Sequence, residues 1–286
     1  MKYRLIGIDL DGTLLNRSGR PSTENLAAIR AARDAGALVV PCTGRAWIES
    51  KKALAELVSL EIGVFVGGAA VSSIQTGTML DISTIEPYLA MELVQYLWDL
   101  PEAVLAFRDF NSVGHDYLVT GAGSLSANTE WWFQATKARV QFQRDLTPAD
   151  LHHTLRVGIV ATESRMNEVT ARLRRDFAGR IVMQSFQAVQ MPDPAESVHV
   201  LEIFGWGVDK WRGLRWIADQ HMIGSSEVAV IGDEVNDLAM MQSAGCAIAM
   251  GNAIDAVKAI ARHTTRDCDQ HGVAHALERL IKGEWG

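Results

Sequence analysis

The sequence has few of the residues that define specialised classes of protein. Its 286 residues include only three cysteines, which lie far apart and lack the spacing of a metal site. We therefore expect free thiols in a reducing compartment rather than a disulfide framework. No apolar run is long enough to span a bilayer, and residues 1–4 lead into a short strand without the hydrophobic region of a signal peptide. These absences predict a soluble, cytoplasmic protein.

Basic charge is also scarce. Lys and Arg number 27 against 34 Asp and Glu, which leaves a formal net charge of −7. The longest basic run, Arg172, Arg174 and Arg175, has the spacing of one exposed helix face. An acidic chain without a basic cluster repels nucleic acid and anionic membranes, so we expect neither as a partner. The apolar fraction of 48% is that of an ordinary globular protein and excludes a disordered chain.

Apolar runs of strand length alternate with helical patterns near both ends of the sequence. They are almost continuously apolar, which is typical of strands buried on both faces of a parallel sheet. The runs are at residues 5–8, 37–41, 62–66, 201–204, 228–231 and 247–251. Strands that alternate with helices in this way predict an α/β fold with a doubly wound, Rossmann-like parallel sheet.

The pattern changes in the middle of the chain. From about residue 84, helical patterns alternate with strand-like runs, and residues 190–194 carry two prolines that predict a loop near the exit of this region. We therefore expect a discontinuous core of residues 1–83 and 199–286. An α+β domain of residues 84–198 is inserted into it.

Carboxylates follow two of the predicted strands. Asp9 and Asp11 are separated by one residue after the first strand, and Asp233 follows the run at 228–231. Ligands of open parallel sheets bind beyond the carboxyl ends of the strands, where strand order reverses. Neighbouring carboxylates repel each other unless a hard cation such as Mg²⁺ lies between them. The alternative is a pair of exposed acids, with Asp11 and Gly12 forming only a turn.

Further polar residues lie at the starts of helices. Thr43 and Gly44 suit a phosphate oxygen, although a turn or an N-cap explains Thr43 more simply. Lys210 begins a predicted helix, where a cation opposes the helix dipole, and either a functional demand or an exposed lysine explains it. Asn236 and Asp237 follow the strand that precedes Asp233. Helix capping explains one or two of Asp233, Asn236 and Asp237 but not all three.

The order of these motifs resembles that of the haloacid dehalogenase-like superfamily. The match is closest to its Cof-type branch (subfamily IIB), which has a large α+β cap between the second and third motifs. The motifs are Asp9-Leu10-Asp11-Gly12-Thr13, Thr43-Gly44-Arg45, Lys210 and Gly232-Asp233-Glu234-Val235-Asn236-Asp237. Residues 250–253 and 269–274 also resemble that branch. Two positions depart from its pattern, because Gly67 replaces an asparagine and Trp211 replaces a glycine.

The resemblance implies a phosphatase that acts on a small phosphomonoester, such as a sugar phosphate or a related metabolite. Asp9 would attack phosphorus to form an aspartyl-phosphate, and Asp11 would act as general acid and base. The implied Mg²⁺ ligands are Asp9, the backbone carbonyl of Asp11 and Asp233, with Asp237 supporting them or orienting Lys210. The implied phosphate-binding residues are Thr43, Gly44, Lys210 and Asn236. We expect a monomer or a homodimer.

Other functions remain open from the sequence. A phosphomutase on the same fold would use the same motifs, and a phospho-aspartate signalling protein shares the paired acids, the threonine and the lysine. Within the inserted domain, Trp131, Trp132 or Tyr117 would stack on a sugar ring or, more simply, pack in a core. The histidines His115, His152 and His153 suggest a metal site only if further ligands join them.

Overall fold

A computed structural model describes residues 1–57, 59–188 and 197–285 of the chain. The loop predicted at residues 190–194 lies outside the described residues. So does residue 58, the last residue of a helix that the sequence pattern predicts over 46–58. The chain divides into two units, one of residues 1–81 with 209–286 and the other of residues 82–208.

The first part of the chain alternates strands with helices. Its elements are β1 (Leu5–Asp9), α1 (Thr23–Asp34), β2 (Leu38–Cys42), α2 (Trp47–Leu54), β3 (Ile62–Phe65), β4 (Ala70–Ser73) and β5 (Met79–Ile82). Helix α1 begins at Ser22, whose side chain accepts a hydrogen bond from the Asn25 amide, and it buries Ala28, Ile29 and Ala32. All five residues of β1 are buried. A strand buried on both faces explains why this run is continuously apolar.

The second unit contains a six-stranded sheet and helices. Its elements are α3 (Pro87–Leu97), β6 (Val104–Arg108), α4 (Phe110–Val113), β7 (Tyr117–Thr120), α5 (Ala127–Thr136), β8 (Val140–Phe142), β9 (Thr154–Thr162), α6 (Glu163–Asp176), β10 (Ile181–Gln187) and β11 (Val198–Gly205). The strand order is β10-β11-β9-β6-β7-β8, and the pairs are antiparallel except β7 with β8. Apolar residues of α3 and α6 share one buried cluster with residues of this sheet.

The last part of the chain returns to the first unit. Its elements are α7 (Lys210–Gln220), β12 (Val228–Gly232), α8 (Leu238–Ser243), β13 (Cys246–Ala249), α9 (Asp255–Ile260), β14 (His263–Thr264) and α10 (Gly272–Ile281). A short 3₁₀ turn, Val235–Asp237, precedes α8. None of the helices in the described part of the chain has the length and apolar character needed to cross a membrane.

The first unit is built on one eight-stranded sheet. Its strand order is β14-β13-β12-β1-β2-β3-β4-β5, and β1 pairs in parallel with both β2 and β12. The chain winds away from β1 in both directions, so the predicted doubly wound parallel sheet is confirmed, with β4 running antiparallel to β3 at one side. Strand order reverses at β1, which is where a ligand site is expected in such a fold.

One strand lies in a different sheet from the one expected. We predicted residues 201–204 as a strand of the first unit, but they belong to β11, which pairs with β9 and β10 in the second sheet. The division of the chain therefore follows β11 and lies at Val208 and Asp209. An apolar run indicates that a strand is buried, but it does not indicate to which sheet the strand belongs.

Candidate active site

Three neighbouring parallel strands bring the predicted motifs to one edge of the sheet. Asp9 ends β1 and pairs with Cys42, so Thr43 follows at the same level. On the other side of β1, Ile8 pairs with Ile231, which places Asp233 just beyond the end of β12. Residues that are more than 200 positions apart in sequence therefore meet because their strands are adjacent.

Lys210 is the centre of this group. It is fully buried, and its Nζ donates hydrogen bonds of 2.6 Å to Oδ1 of Asp9 and 2.6 Å to Oδ1 of Asp237. Burial alone lowers the pKa of the Lys210 ammonium, but the charges of Asp237 and Asp9 outweigh it and raise the pKa above its ordinary value. Lys210 is therefore a permanent positive charge in contact with both carboxylates.

Asp9 is buried at the end of β1. Burial raises its pKa, Lys210 opposes that rise, and the carboxylates of Asp237 and Asp233 add to it, so the net direction is well upward. One oxygen from each of Asp9, Asp233 and Asp237 lies within 4.8 Å of the others. This concentration of negative charge in a buried place favours a bound cation, and its all-oxygen ligands match a hard cation.

Asp233 is held by residues of two loops. Its Oδ1 accepts a hydrogen bond of 2.8 Å from Thr13 Oγ1, and its Oδ2 accepts one of 3.2 Å from Asn252 Nδ2. Burial and the nearby charge of Asp237 raise the pKa of Asp233 to about 7. Gly12 has a φ of +76°, and a Cβ there would lie 2.3 Å from Asp233 Oδ2. Glycine at position 12 therefore lets the two loops approach each other.

Asp237 is occupied by protein contacts on both oxygens. While Oδ1 accepts from Lys210, Oδ2 accepts from the backbone amides of Asp233 at 2.8 Å and Glu234 at 3.1 Å. Asp237 thus connects Lys210 to the turn that carries Asp233.

The loop after β2 has contacts on several sides. Thr43 Oγ1 accepts a hydrogen bond of 3.1 Å from the Arg45 amide, as in the turn that we considered for it, and Gly44 lies between them. The Thr43 carbonyl accepts from the Gly67 amide at 3.1 Å. Gly67 has a φ of +62°, which glycine adopts readily. Gly67, which replaces the asparagine of the Cof-type pattern, therefore lies where the chain after β3 supports the loop that carries Thr43.

Asp11 and Asn236 lie at the rim of this group. The carboxylate of Asp11 is half-exposed and paired with Arg45, with hydrogen bonds of 2.7 Å from Nε and 2.5 Å from a terminal nitrogen. The amide oxygen Oδ1 of Asn236 is buried and has no hydrogen-bond partner within residues 1–57, 59–188 and 197–285. Asn236 is thus able to bind a ligand atom.

The aromatic and histidine candidates of the second unit have other surroundings. The Tyr117 ring packs 5.1 Å from Phe107 and 4.8 Å from Phe133, which is a core arrangement. No group of metal ligands in the described residues includes His115, His152 or His153.

Three residues that contact the site were not assigned roles from the sequence: Thr13, Arg45 and Asn252. Arg45 lies in a motif that we recognised, but its contact with Asp11 depends on the course of two separate loops. Asn252 lies in the stretch 250–253, which we noted as similar to the Cof-type branch. That similarity was the only signal in the sequence that could have indicated Asn252.

The chain is similar to known proteins in sequence and in fold. The sequence model of the haloacid dehalogenase-like hydrolases matches residues 6–277. The 5-amino-6-(5-phospho-D-ribitylamino)uracil phosphatase YitU of Bacillus subtilis (strain 168) is 30% identical over 287 residues, covering 98% of each chain. A haloacid dehalogenase-like hydrolase from Bacteroides thetaiotaomicron has the same fold, with a TM-score of 0.75, 24% identity and coverage of 97% of this chain and 99% of that one. A subclass IIB sugar phosphatase of the superfamily gives a TM-score of 0.72 at 18% identity, covering 97% and 98%.

A parallel sheet that carries carboxylates and a buried lysine at its switch point is typical of an α/β protein with a ligand site there. The chain belongs to the haloacid dehalogenase-like hydrolase family. Its relatives among curated proteins are phosphatases, and the chain is accordingly a phosphoric monoester hydrolase.

Proposed function

We propose that the protein is a Mg²⁺-dependent phosphatase that hydrolyses a small phosphorylated metabolite, such as a sugar phosphate, through an aspartyl-phosphate on Asp9. The observation that supports this most is the fully buried Lys210, whose Nζ lies 2.6 Å from Asp9 Oδ1. A carboxylate that attacks a phosphomonoester dianion is repelled by it, so a fixed positive charge beside the nucleophile is required.

In the first step, an oxygen of Asp9 forms a bond to phosphorus while the bond from phosphorus to the ester oxygen breaks. Asp11 in its acid form donates its proton to the departing oxygen, which leaves as a free alcohol, and the resulting carboxylate is the form paired with Arg45. Lys210 balances the charge that accumulates on Asp9 and the phosphoryl oxygens. In the second step, Asp11 accepts a proton from water, the water oxygen attacks phosphorus, and inorganic phosphate leaves with Asp9 restored.

The proposed cation site consists of Asp9, the backbone carbonyl of Asp11 and Asp233. When bound, Mg²⁺ would neutralise phosphoryl charge and provide a fixed point for the substrate oxygens. Two features of the chain support such a cation: the carboxyl pKa values of Asp9 and Asp233 are raised by burial, and their donor atoms are all oxygens.

The remaining phosphoryl oxygens would be held by Thr43, Gly44 and Asn236. Asn236 would donate to a phosphoryl oxygen through its Nδ2, because its amide oxygen can only accept a hydrogen bond. Phosphoryl transfer depends mainly on positioning and on charge stabilisation, which suits a group of fixed amides and hydroxyls. The second unit, residues 82–208, would carry substrate selectivity.

The test is hydrolysis of an aryl phosphate by the purified protein with and without Mg²⁺. We expect free phosphate only with the cation, and no turnover by Asp9→Asn. Asp219→Asn, which changes an exposed aspartate on α7, is the matched control and should keep full activity. Activity that survives Asp9→Asn unchanged would contradict the mechanism. With a sugar phosphate as substrate, an isomerised ester in place of free phosphate would indicate a phosphomutase instead.

The substrate itself requires a screen of phosphorylated metabolites with free phosphate as the readout. Because relatives act on a phosphorylated ribityl compound, sugar-alcohol phosphates belong in the screen beside sugar phosphates.

A further inference from the structure

Asn252 contacts both loops of the proposed cation site. It follows β13, and its Nδ2 donates hydrogen bonds of 2.8 Å to the Gly12 carbonyl and 3.2 Å to Asp233 Oδ2. The first partner belongs to the loop that carries Asp11, and the second is itself a proposed cation ligand. Asn252 therefore connects the chain after β1 to the chain after β12.

The orientation of the Asn252 amide is determined by a third contact. Its Oδ1 accepts a hydrogen bond of 2.9 Å from the backbone amide of Cys268. A backbone N–H donates only to an acceptor, so the oxygen must face Cys268 and the amide nitrogen must face Gly12 and Asp233. The side chain thus offers both of its N–H groups to the site, and rotation by 180° would break all three contacts.

Both oxygens of Asp233 are consequently fixed. Thr13 Oγ1 donates to Oδ1 at 2.8 Å, while Asn252 donates to Oδ2. Each donor occupies one lone pair of an Asp233 oxygen. The plane of the carboxylate is therefore set, and its remaining lone pairs point in a fixed direction. Residues that hold a metal-binding carboxylate in this way change metal affinity about 10- to 100-fold when they are removed.

We infer that Asn252 is a positioning residue, which orients Asp233 for the cation. This inference rests on the proposed function, because it assumes that Asp233 binds Mg²⁺. It adds to the proposed cation site a residue that lies outside the four sequence motifs.

The Cys268 amide is held in turn by a surface ion pair. Arg17 contacts Asp269 Oδ2 at 2.5 Å and Asp267 Oδ2 at 3.3 Å on either side of Cys268. The Arg17 side chain is 70% exposed, and exposed ion pairs contribute little. We expect Arg17→Ala to change Mg²⁺ affinity by less than about threefold.

The test is direct titration of Mg²⁺ by calorimetry into the metal-free protein and its variants. For Asn252→Ala we expect a Kd about 10- to 100-fold higher than that of the wild type. Turnover of an aryl phosphate should recover at high Mg²⁺ concentration. Asn252→Ser, whose hydroxyl is too short to span Cys268 and Asp233, should behave alike and provides the test if the alanine variant does not fold.

The matched control is Asn16→Ala. The side chain of Asn16 accepts hydrogen bonds from the Ser18 and Arg20 amides in the loop after β1, but neither partner touches Asp233. Asn16→Ala should lower the unfolding temperature in EDTA without changing the Kd for Mg²⁺. Equal Mg²⁺ affinity of Asn252→Ala and the wild type would overturn the inference. A wild type that does not bind Mg²⁺ would overturn the proposed function instead.

Discussion

Lys210 Nζ lies 2.6 Å from Asp9 Oδ1, although the two residues are 201 positions apart in sequence. The lysine is 0% exposed, and its second partner, Asp237, is also 0% exposed. Three ionisable groups thus lie together in a largely buried place at the end of β1. The opposite charges in such a cluster stabilise one another. The loss of one partner therefore changes both the stability of the fold and the chemistry of the site.

Lys210→Met tests the compensation. The variant leaves two buried carboxylates without their cation, and we expect it to lose about 3–5 kcal/mol of unfolding free energy near neutral pH and to lose its turnover. Urea unfolding provides the measurement. Lys52→Met, at an exposed lysine of α2, should unfold like the wild type. If Lys210→Met were as stable as that control, the buried charges would not depend on Lys210.

Gly12→Ala tests the approach of the two loops. The new Cβ would lie 2.3 Å from Asp233 Oδ2, so we expect Asp233 to move and both turnover and Mg²⁺ affinity to fall by at least about tenfold. Gly19→Ala is the matched control, because Gly19 has a similar φ of +74° but no atom within 4 Å of the added Cβ. It should cost only about 1 kcal/mol of backbone strain and keep its activity. Equal losses in the two variants would argue that strain alone is responsible.

The pKa of Asp233 predicts how Mg²⁺ stabilisation depends on pH. Burial and Asp237 raise it to about 7, so the folded state holds this proton more tightly than the unfolded chain. The stability that Asp233 contributes to the metal-free protein is therefore lost as pH rises from about 4 to about 7. Mg²⁺ competes with the same proton. The rise in unfolding temperature on adding Mg²⁺ should be larger at about pH 8 than at about pH 5.5.

Thermal unfolding in EDTA and in Mg²⁺ at both pH values measures this difference. Asp233→Asn should remove most of the stabilisation by Mg²⁺ at either pH, because the amide carries no charge for the cation. A stabilisation by Mg²⁺ that is independent of pH, or larger in acid, would contradict the assignment of Asp233.

The sequence was sufficient to predict the ends of the core strands to within two residues, and the reason is physical. A strand buried on both faces must be apolar throughout, so a polar residue such as Asp9 or Thr43 marks the point where it leaves the sheet. The same signal was insufficient for residues 201–204, since burial in the second sheet produces the same pattern. Lys210 was located at the start of its helix, but its contact with Asp237 depends on packing between α7 and the turn after β12.

Side chains that act through other residues were the least predictable part of the site. Asn252 contacts Gly12 and Asp233 only because β13 ends beside β12 and because the turn at Cys268 returns to it. Arg45 similarly reaches Asp11 from another loop. Neither contact has a fixed spacing in sequence, so residue type and local pattern carry no information about them.

Asp9 should carry the phosphoryl group during turnover, and the Asp11→Asn variant makes this intermediate measurable. Without its general base, this variant should form the intermediate from an aryl phosphate, whose leaving group needs little protonation, and hydrolyse it about 10²- to 10⁴-fold more slowly. Acid quenching followed by peptide mass spectrometry should locate one phosphoryl group on Asp9, and Asp9→Asn in the same background should abolish it. A phosphoryl group on another residue, or its absence while the wild type releases phosphate, would contradict the account.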